Sequence, residues 1–423
     1  MRTFLAPSPA DLFMRDVERR AEHPDAASTI GAVLHLTGAV PDLADLRQHV
    51  AARLAGLPCM SHILSGDGPA ARWAHAAPDT EHHLRAQHLA AGPEALDAAV
   101  RELAREPWPE GVPAWRLVLL HGHAPDGFAL LYLTHHSVQD GGNIIAVLEA
   151  LFGTPVPAER SATVARGVPH APRPRLRQVV RSTRMLLRHF GKHHLWSSPD
   201  QPLSSRRHTL WTQAPAAWLR TAARNADAST NDVYLTALAH AIEGWANTAW
   251  PRAAGAHIPV MVPINLRTAD EVAVPGNRLF LIRLDLLGGA RSLGQRLAHT
   301  RAVTTVLKSA EHKAVLRAAL TRLPTRAFQR LVALSTAPGR LTLAASYLVM
   351  RHRLHYGDAE VDRMYPLMCC PPGAPMAVAL LVYGETATVC FRIDEALLGG
   401  ESLPARWRQA LDEMSTTAEA AAD

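Results

Sequence analysis

Two adjacent histidines and a nearby aspartate, His135, His136 and Asp140, lie in the segment HHSVQDGG. An imidazole has an ordinary pKa that suits it to take a proton near neutral pH, for example from a hydroxyl or amine that attacks a carbonyl carbon. The carboxylate could orient that ring, or it could lock the loop through an arginine elsewhere in the chain. Gly141 and Gly142 allow a tight or left-handed turn directly after it. The pattern therefore predicts proton-transfer chemistry in a loop.

Two other interpretations of the same residues stay open at this point. Asp140 or Asn143 could simply cap a following helix, beside two partly exposed histidines. A histidine and an aspartate spaced i and i+4 could also bind a metal on a helix. The glycines favour a loop, however, and no further carboxylate or cysteine cluster lies nearby. We therefore expect neither a metal nor another cofactor.

A strand and a helix must hold this loop in place. Residues 128–133 (FALLYL) are continuously apolar, which predicts a buried strand, and residues 115–120 predict its partner across the turn at 124–127. After the loop, apolar residues repeat at helical spacing and predict a helix with one apolar face, formed by Ile144, Ile145, Leu148 and Leu151. Polar groups at such a junction sit on rigid supports at the edge of a core, where a substrate can arrive.

The rest of the chain alternates between strand and helix patterns. Strands are predicted at 29–37, 207–212, 258–264, 279–287, 376–383 and 386–394. Helices are predicted at 10–20, 41–54, 93–105, 215–224, 291–308, 311–334 and 403–414, with one more starting at Ser229 or Thr230. His82 and His83, in the polar stretch EHHLR, are expected to face solvent.

Composition indicates a globular protein with enough residues for two or three domains. The chain has 423 residues, of which 48% are hydrophobic and 19% charged. Its four cysteines show no CxxC and no disulfide spacing, so we expect free thiols and a cytoplasmic protein. No signal-peptide pattern opens the chain, and no apolar run approaches the length of a membrane span.

Positive charge is concentrated in one region. The net charge is +6, and residues 173–207 are rich in arginine with only Asp200 opposing them. The preceding residues 155–172 are rich in Pro, Ala and Arg and are the best candidate for a linker. The basic segment could meet an anionic membrane surface, the phosphates of coenzyme A, or an acyl carrier protein. No nucleic-acid-reading module accompanies it, so we expect no nucleic acid partner.

The segment HHSVQDG fits the HHxxxDG signature of chloramphenicol-acetyltransferase-like acyltransferases and of peptide-synthetase condensation domains. Further segments resemble, in the same order, those of the bacterial wax ester synthase/diacylglycerol acyltransferase family. They are SPADLFMRDVE (8–18), PAWRLVLLHG (113–122), STNDVYLTALAHAI (229–242), VPINLR (262–267) with GNR (276–278), and MAVALLVYGETATVCFRIDEALL (376–398). In two respects the chain departs from that family: SYLVMR (346–351) stands where SNVPGP is common, and the chain looks short.

The resemblance implies an α/β fold of two lobes, each similar to one chloramphenicol acetyltransferase subunit, with the active-site tunnel at their interface. It divides the chain into an N-terminal lobe at 1–154, a basic linker and helix at 155–205, and a C-terminal lobe at 206–423. It also implies an acyl group moved from a thioester, acyl-CoA or acyl carrier, to a hydroxyl or amine. The acceptor is either an apolar alcohol, as in lipid synthesis, or a polar group of a small natural product. A non-catalytic acyl-binding relative is the third alternative.

The resemblance also carries roles over to individual residues. His136 is the general base, His135 has a structural role in the motif, and Asp140 holds the loop. Arg267 is the candidate partner of Asp140, since many relatives pair the motif aspartate with an arginine from a distant strand. No covalent acyl-enzyme is implied, because no activated serine or cysteine is found.

Three further residues and two amides are expected to support the site. Trp115 is predicted to pack in the core behind the motif. Asn231 and Asp232 start a helix, where capping alone would explain them, and the resemblance adds a role in shaping the active-site side. Backbone amides near Gly141 and Gly142 are candidate donors to a tetrahedral oxyanion.

Overall fold

The computed structural model describes residues 6–19, 23–26, 28–154, 180, 191–268, 271–322, 327, 330–331, 334, 337 and 339–419. They form two compact units. Unit 1 comprises the described residues within Met1–Val168 together with Arg267–Leu279 and Leu348–Cys369, and unit 2 comprises the remainder. The sequence predicts lobes that follow one another along the chain. In the structure, two segments from the second half pack within unit 1.

Fourteen strands are present in the described residues. In chain order they are β1 Thr29–Thr37, β2 His62–Ser65, β3 Arg72–His75, β4 Leu84–His88, β5 Trp115–Ala124, β6 Gly127–His135, β7 Arg207–Pro215, β8 Ile258–Asn265, β9 Leu279–Leu286, β10 Leu343–Met350, β11 His355–Tyr356, β12 Ala359–Leu367, β13 Met376–Tyr383 and β14 Thr386–Asp394.

Ten α-helices are present in the same residues. They are α1 Pro9–Arg19, α2 Leu43–Ala51, α3 Thr80–His83, α4 Pro93–Arg105, α5 Gly141–Phe152, α6 Ala216–Asn225, α7 Thr230–Ala249, α8 Leu293–Lys308, α9 Ala310–Arg322 and α10 Leu403–Glu419. No described helix combines the length and the apolar character needed to cross a bilayer.

Unit 1 is built on a six-stranded sheet in the order β11-β12-β1-β6-β5-β4. β6 lies between β1 and β5, is antiparallel to both, and buries every residue after Gly127. A strand covered on both faces reads as a continuous apolar run, which is why its sequence showed no alternation. The strand continues two residues beyond the predicted end, so that His135 pairs with Thr29 as the last residue of β6.

Unit 2 is built on a second six-stranded sheet in the order β7-β14-β13-β10-β8-β9. β7, β14 and β13 are joined as antiparallel neighbours, whereas β8 and β10 run parallel. Helix α7 contributes the predicted apolar stripe to the core of this unit: Leu235, Leu238, Ile242 and Trp245 are all buried. Every second residue of β9 from Ile282 to Leu286 is buried, as its alternating pattern predicts.

Several predicted elements agree with the structure and others were missed. The bounds of β1, α4, β13 and β14 are as predicted, and all four cysteines are buried and free. The sequence analysis missed β2, β3, β4, β10, β11 and β12. The segment SYLVMR lies largely within β10. The predicted helix 311–334 is described as α9 to Arg322, and most of the remaining residues lie outside the described ranges.

The prediction for His83 was wrong. His82 is exposed, but His83 is buried, with its ring stacked on Trp115 at a centroid distance of 4.2 Å. Its Nδ1 lies 2.8 Å from the carbonyl oxygen of Trp115. The short helix α3 leads directly into β4, which pairs with β5, and this pairing carries one of the two histidines into the core.

The basic segment is described only in part, because residues 173–179 and 181–190 lie outside the described ranges. At its end, Arg207 is buried in an ion pair with Asp394, and Arg206 pairs with Glu395 at 2.9 Å. These two arginines therefore contribute to the structure of unit 2 and are not free charges for an external anion.

Candidate active site

The HHSVQDGG segment connects the end of β6 to the start of α5. Its backbone reverses through residues 136–139, where the amide of Val138 donates to the carbonyl of His135 at 2.9 Å. Asp140 is extended and caps α5, and Gly141 and Gly142 form the first helical turn without a positive φ. Of the conformations that these glycines allow, the left-handed one is therefore not adopted. At Gly141 an added Cβ would lie 3.0 Å from the Leu348 side chain, so close packing is one reason for a small residue there.

His136 follows directly after the strand and is half-buried. Its backbone amide donates to the carbonyl of Ser28 at 2.7 Å, and its carbonyl accepts from Nδ2 of Asn277 at 2.7 Å. The ring nitrogen Nδ1 is buried and has no hydrogen-bond partner of good geometry. The peptide of His136 is thus held on both sides, while its ring makes few polar contacts.

Burial is the largest influence on the His136 imidazole and lowers its pKa below the ordinary value of 6.5. Interactions with its own backbone and with Asp140 act in the opposite direction and are outweighed. A lowered pKa means that the ring is neutral at pH 7 and can accept a proton. The electrostatics of this position therefore suit a general base.

His135 has both ring nitrogens engaged. Nδ1 accepts a hydrogen bond from the amide of Ser137 at 2.9 Å, so the ring proton lies on Nε2. That Nε2 lies 2.5 Å from Oε2 of Glu18, on helix α1. Neither nitrogen of His135 is left to accept a proton from a substrate.

Asp140 forms the predicted ion pair with Arg267. Nη2 of Arg267 donates to Oδ2 of Asp140 at 2.9 Å, and both side chains are buried within unit 1. The same oxygen accepts from the amide of Arg278 at 2.9 Å, and Oδ1 accepts from the amide of Asn143 at 2.9 Å. Burial by itself would raise the pKa of Asp140, but the charge of Arg267 and these amides outweigh it and hold the pKa below 3.8.

Arg267 also fastens the segment in which it lies. Its Nη1 donates to the carbonyls of Glu271 at 2.6 Å and Val274 at 3.1 Å, and its Nη2 donates to the carbonyl of Gly276 at 2.7 Å. The helix cap and the segment 271–276 are therefore joined through one guanidinium. With its carboxylate used in this way, Asp140 does not act as the orienting partner of an imidazole.

The carboxylate of Asp140 is likewise engaged in a manner that does not favour metal binding. Among the residues that the structure describes, no group of three or more His, Cys, Asp or Glu side chains could hold a metal ion. Of the interpretations left open by the sequence, two are observed for Asp140: it caps helix α5, and it fixes the loop through its ion pair with Arg267.

Cys59 is a thiol that interacts with Asn143 and Arg267 beside the motif. It is buried, and burial raises the pKa of its thiol to about 12. A thiol in that state is a poor nucleophile at neutral pH. Trp115 is buried as predicted, and its Nε1 donates to the carbonyl of Met60 at 2.9 Å, which fits a packing role.

Asn231 and Asp232 lie in unit 2, at the start of α7. Asp232 forms a capping box with Ser229 and accepts hydrogen bonds from Thr304 Oγ1 and Lys308 Nζ, each at 2.6 Å. These contacts account for Asp232 through helix capping and ion pairing. Asn231 is half-buried, and its expected role near the active site stays a prediction.

Four residues at or next to the motif were not assigned roles from the sequence: Glu18, Ser28 and Asn277, which contact the motif, and Asp11, which binds Asn277. Three of them lie in segments that carried the family resemblance, SPADLFMRDVE and GNR. The only feature of the sequence that could have pointed to these residues was therefore an acidic or amide side chain within a segment that resembles the family. Nothing in the local pattern indicated that they meet the histidine loop.

Solved structures with this fold include a wax ester synthase/diacylglycerol acyltransferase and condensation domains. The wax ester synthase/diacylglycerol acyltransferase of Marinobacter aquaeolei VT8 matches with a TM-score of 0.62 at 17% identity, covering 98% of this chain and all of that one (100%). The starter condensation domain of rhizomide synthetase, solved in complex with C8-CoA, matches with a TM-score of 0.69 at 14% identity, covering 99% of this chain and 95% of that one. These likenesses establish a chloramphenicol-acetyltransferase-like α/β fold. On this fold the chain carries its HHxxxDG segment between β6 and α5.

Residues 8–193 match the model of the wax ester synthase/diacylglycerol acyltransferase catalytic domain. Related sequences include a candidate diacylglycerol O-acyltransferase of Mycobacterium bovis, at 25% identity over 363 residues, covering 73% of this chain and 70% of the relative. A candidate of the same description from Mycobacterium tuberculosis H37Rv matches to the same extent.

Proposed function

We propose that this acyltransferase moves an acyl group from a thioester to a hydroxyl or amine, with His136 as the general base. The observation that carries the proposal is the His136 imidazole itself. It is half-buried, its pKa is lowered by burial, and its peptide is held at both the N–H and the C=O. A neutral imidazole on a rigid support is the group that general-base catalysis requires.

The reaction needs no covalent enzyme intermediate. His136 takes the proton from the acceptor as the acceptor oxygen or nitrogen attacks the thioester carbonyl. The tetrahedral oxyanion then collapses, the carbon–sulfur bond breaks, and the imidazolium returns its proton to the departing thiolate. Asp140 and Arg267 hold the loop and do not react.

Donors for the oxyanion are proposed at the start of α5. The amides of Gly141 and Gly142 lie in the first helical turn, where N–H groups have no partner within the helix. The partial positive charge at a helix N-terminus also favours a nearby anion. These amides are our candidates for the stabilising groups.

An acyl-CoA is the donor that we propose first. The rhizomide synthetase condensation domain, which shares the fold, is solved with C8-CoA bound. Other relatives of that fold are condensation domains of peptide synthetases, so an acyl carrier protein is the second candidate donor. The free state of all four cysteines supports action in the reducing cytoplasm. An anionic membrane surface is a further proposed partner for the basic segment.

Two acceptor classes compete. The diacylglycerol acyltransferase and wax ester synthase relatives favour an apolar alcohol or diacylglycerol. One observation favours a small polar acceptor. The segment SYLVMR, which stands in place of the SNVPGP common in the family, lies largely in the regular strand β10 and has neither its proline nor its glycine.

The decisive experiment is thiol release from acyl-CoAs of increasing chain length. Fatty alcohols, diacylglycerol, small polar alcohols and small polar amines serve as acceptors, and the acylated product is identified by mass spectrometry. Product with fatty alcohol or diacylglycerol supports lipid synthesis, whereas product with a polar acceptor alone supports tailoring. If neither acyl-CoAs nor acyl carrier proteins give product with any acceptor, the proposed reaction is refuted.

The pH dependence of the reaction provides a separate prediction. The pKa of His136 is lowered, so the active neutral form is complete above that pKa and is lost as the pH falls through it. We therefore expect kcat/KM to decline toward acid pH with an apparent pKa below 6.5. The measurement is kcat/KM against pH, with circular dichroism at each pH to exclude unfolding. An apparent pKa above 6.5 would contradict the assigned base.

A further inference from the structure

We propose that Asp11 and Asn277, with Glu18 on the opposite side, are positioning residues for His136, and that helix α1 is thereby part of the catalytic apparatus. The inference rests on the proposed role of His136 as the base. The segments SPADLFMRDVE and GNR have no role in the reaction as proposed above, and this inference gives them one.

The first link runs from Asp11 through Asn277 to His136. Oδ1 of Asp11 accepts from the backbone amide of Asn277 at 2.7 Å and from its Nδ2 at 2.8 Å. The same Nδ2 donates to the carbonyl of His136 at 2.7 Å. An amide nitrogen has two protons, so both are used, and the orientation of the Asn277 side chain is set by these two acceptors.

The second link runs from Glu18 through Ser28 to His136. Oε2 of Glu18 accepts from the amide of Ser28 at 3.1 Å, and the carbonyl of Ser28 accepts from the amide of His136 at 2.7 Å. The hydroxyl of Ser28 also donates to the carbonyl of Met14 at 2.9 Å, in the middle of α1. Glu18 contacts His135 in addition, so it fastens both histidines.

Asp11 and Glu18 have the spacing needed to hold the His136 peptide from both sides, an arrangement that we call the clamp. Asp11 and Glu18 are seven residues apart, which puts them on the same face of α1 and about 10 Å apart along its axis. The N–H and the C=O of His136 are each held by a group that a carboxylate of α1 fixes. A backbone held at both polar groups leaves little freedom for the attached imidazole.

Burial of Asp11 makes the first link unusual. The side chain is fully buried, and burial is the largest influence on its pKa, which is raised above 3.8. The charge of Arg278 and hydrogen bonds from amides of Ser8 and Asn277 act in the opposite direction, and two of those hydrogen bonds come from Asn277. Two of the three hydrogen bonds to the Asp11 carboxylate therefore hold Asn277, and one, from the amide of Ser8, belongs to the start of α1.

The test is a double-mutant cycle with Asn277→Ala, Asp11→Ala and the double variant. We expect Asn277→Ala to lower kcat by about 10- to 100-fold while KM changes little, because a misplaced base loses rate and not substrate binding. If Asp11 acts through Asn277, the double variant is no slower than Asn277→Ala alone. Losses that multiply would overturn the link. Glu18→Gln is expected to lower kcat in the same direction.

Glu243→Gln is the matched control. Glu243 is also a buried carboxylate that anchors loop amides, those of Gly255 and Gly289, and it belongs to unit 2, whereas the histidine loop belongs to unit 1. This variant is expected to lower the thermal midpoint and leave kcat within about twofold. If it lowers kcat as much as Asn277→Ala at equal loss of stability, the positioning role is refuted.

A readout independent of turnover separates this inference from the proposed function. The His136 ring signal can be assigned in NMR spectra of histidine-labelled protein as the one missing from His136→Ala. We expect Asn277→Ala to shift this signal and to lower the His136 pKa further, because the contact with the Asn277 side chain is one of those that raise it. If the His136 signal shifts in Asn277→Ala but the wild type shows no acyl transfer, the positioning role of Asn277 is supported and the proposed function is refuted. An unmoved signal in folded Asn277→Ala refutes the clamp.

Discussion

Replacing His136 with alanine is expected to lower kcat by about 10²- to 10⁴-fold, which is the usual contribution of a positioned general base. The acceptor would lose the only group assigned to take its proton, whereas the loop would keep its ion pair and its helix cap. The measurement is thiol release with the best donor and acceptor pair, together with the thermal midpoint of the variant. KM values are expected to change much less than kcat.

His240→Ala is the control for this prediction. His240 lies on α7 in unit 2, is also half-buried, and also has a buried Nδ1 without a hydrogen-bond partner of good geometry. Its pKa is likewise lowered, mainly by burial. The control therefore matches the burial and the electrostatic state of His136 without its place in the loop. Equal loss of kcat in the two variants would contradict the role of His136.

Removing one partner of the Asp140–Arg267 pair is expected to have the largest effect on stability. We expect Arg267→Ala to lower the free energy of unfolding by about 3–5 kcal/mol, because Asp140 would stay buried without its cation. The carbonyls of Glu271, Val274 and Gly276 would also each lose one hydrogen bond. Chemical unfolding, followed by circular dichroism, measures this change.

An exposed pair provides the comparison. Arg301 and Asp227 form an ion pair on the surface of unit 2, where the Asp227 side chain is 89% exposed. Arg301→Ala is expected to cost at most about 1 kcal/mol. A double variant that removes both charges, Asp140→Leu with Arg267→Met, is expected to recover part of the loss. If Arg267→Ala costs no more than Arg301→Ala, the pair does not lock the loop.

The pair also predicts how stability depends on acid. The pKa of Asp140 is held below its ordinary value of 3.8, so its contribution is complete above that value and is lost as the pH falls toward the lowered pKa. The difference in unfolding free energy between the wild type and Arg267→Ala is therefore expected to shrink below pH 4, as Asp140 becomes protonated.

The sequence by itself determined the local elements around the site and the types of residue within it. The apolar run before the motif indicated a buried strand, and the spacing of Ile144, Leu148 and Leu151 indicated the helix after it. The turn at 124–127 and the cap at Asp140 were also readable. These features depend on residues within a few positions of one another, so side-chain periodicity and turn chemistry are enough to reveal them. The partner of Asp140 came from the family resemblance, since no local pattern connects it to Arg267.

Only the tertiary structure decided which distant groups meet the motif. Asp11 and Asn277 are 266 residues apart and still share two hydrogen bonds beside His136. His83 looked solvent-facing in a polar stretch but is buried against Trp115, because the pairing of β4 with β5 draws it inward. Both cases have the same physical reason. A polar side chain can be buried wherever the fold supplies partners for its hydrogen bonds, and those partners come from segments that no local pattern identifies.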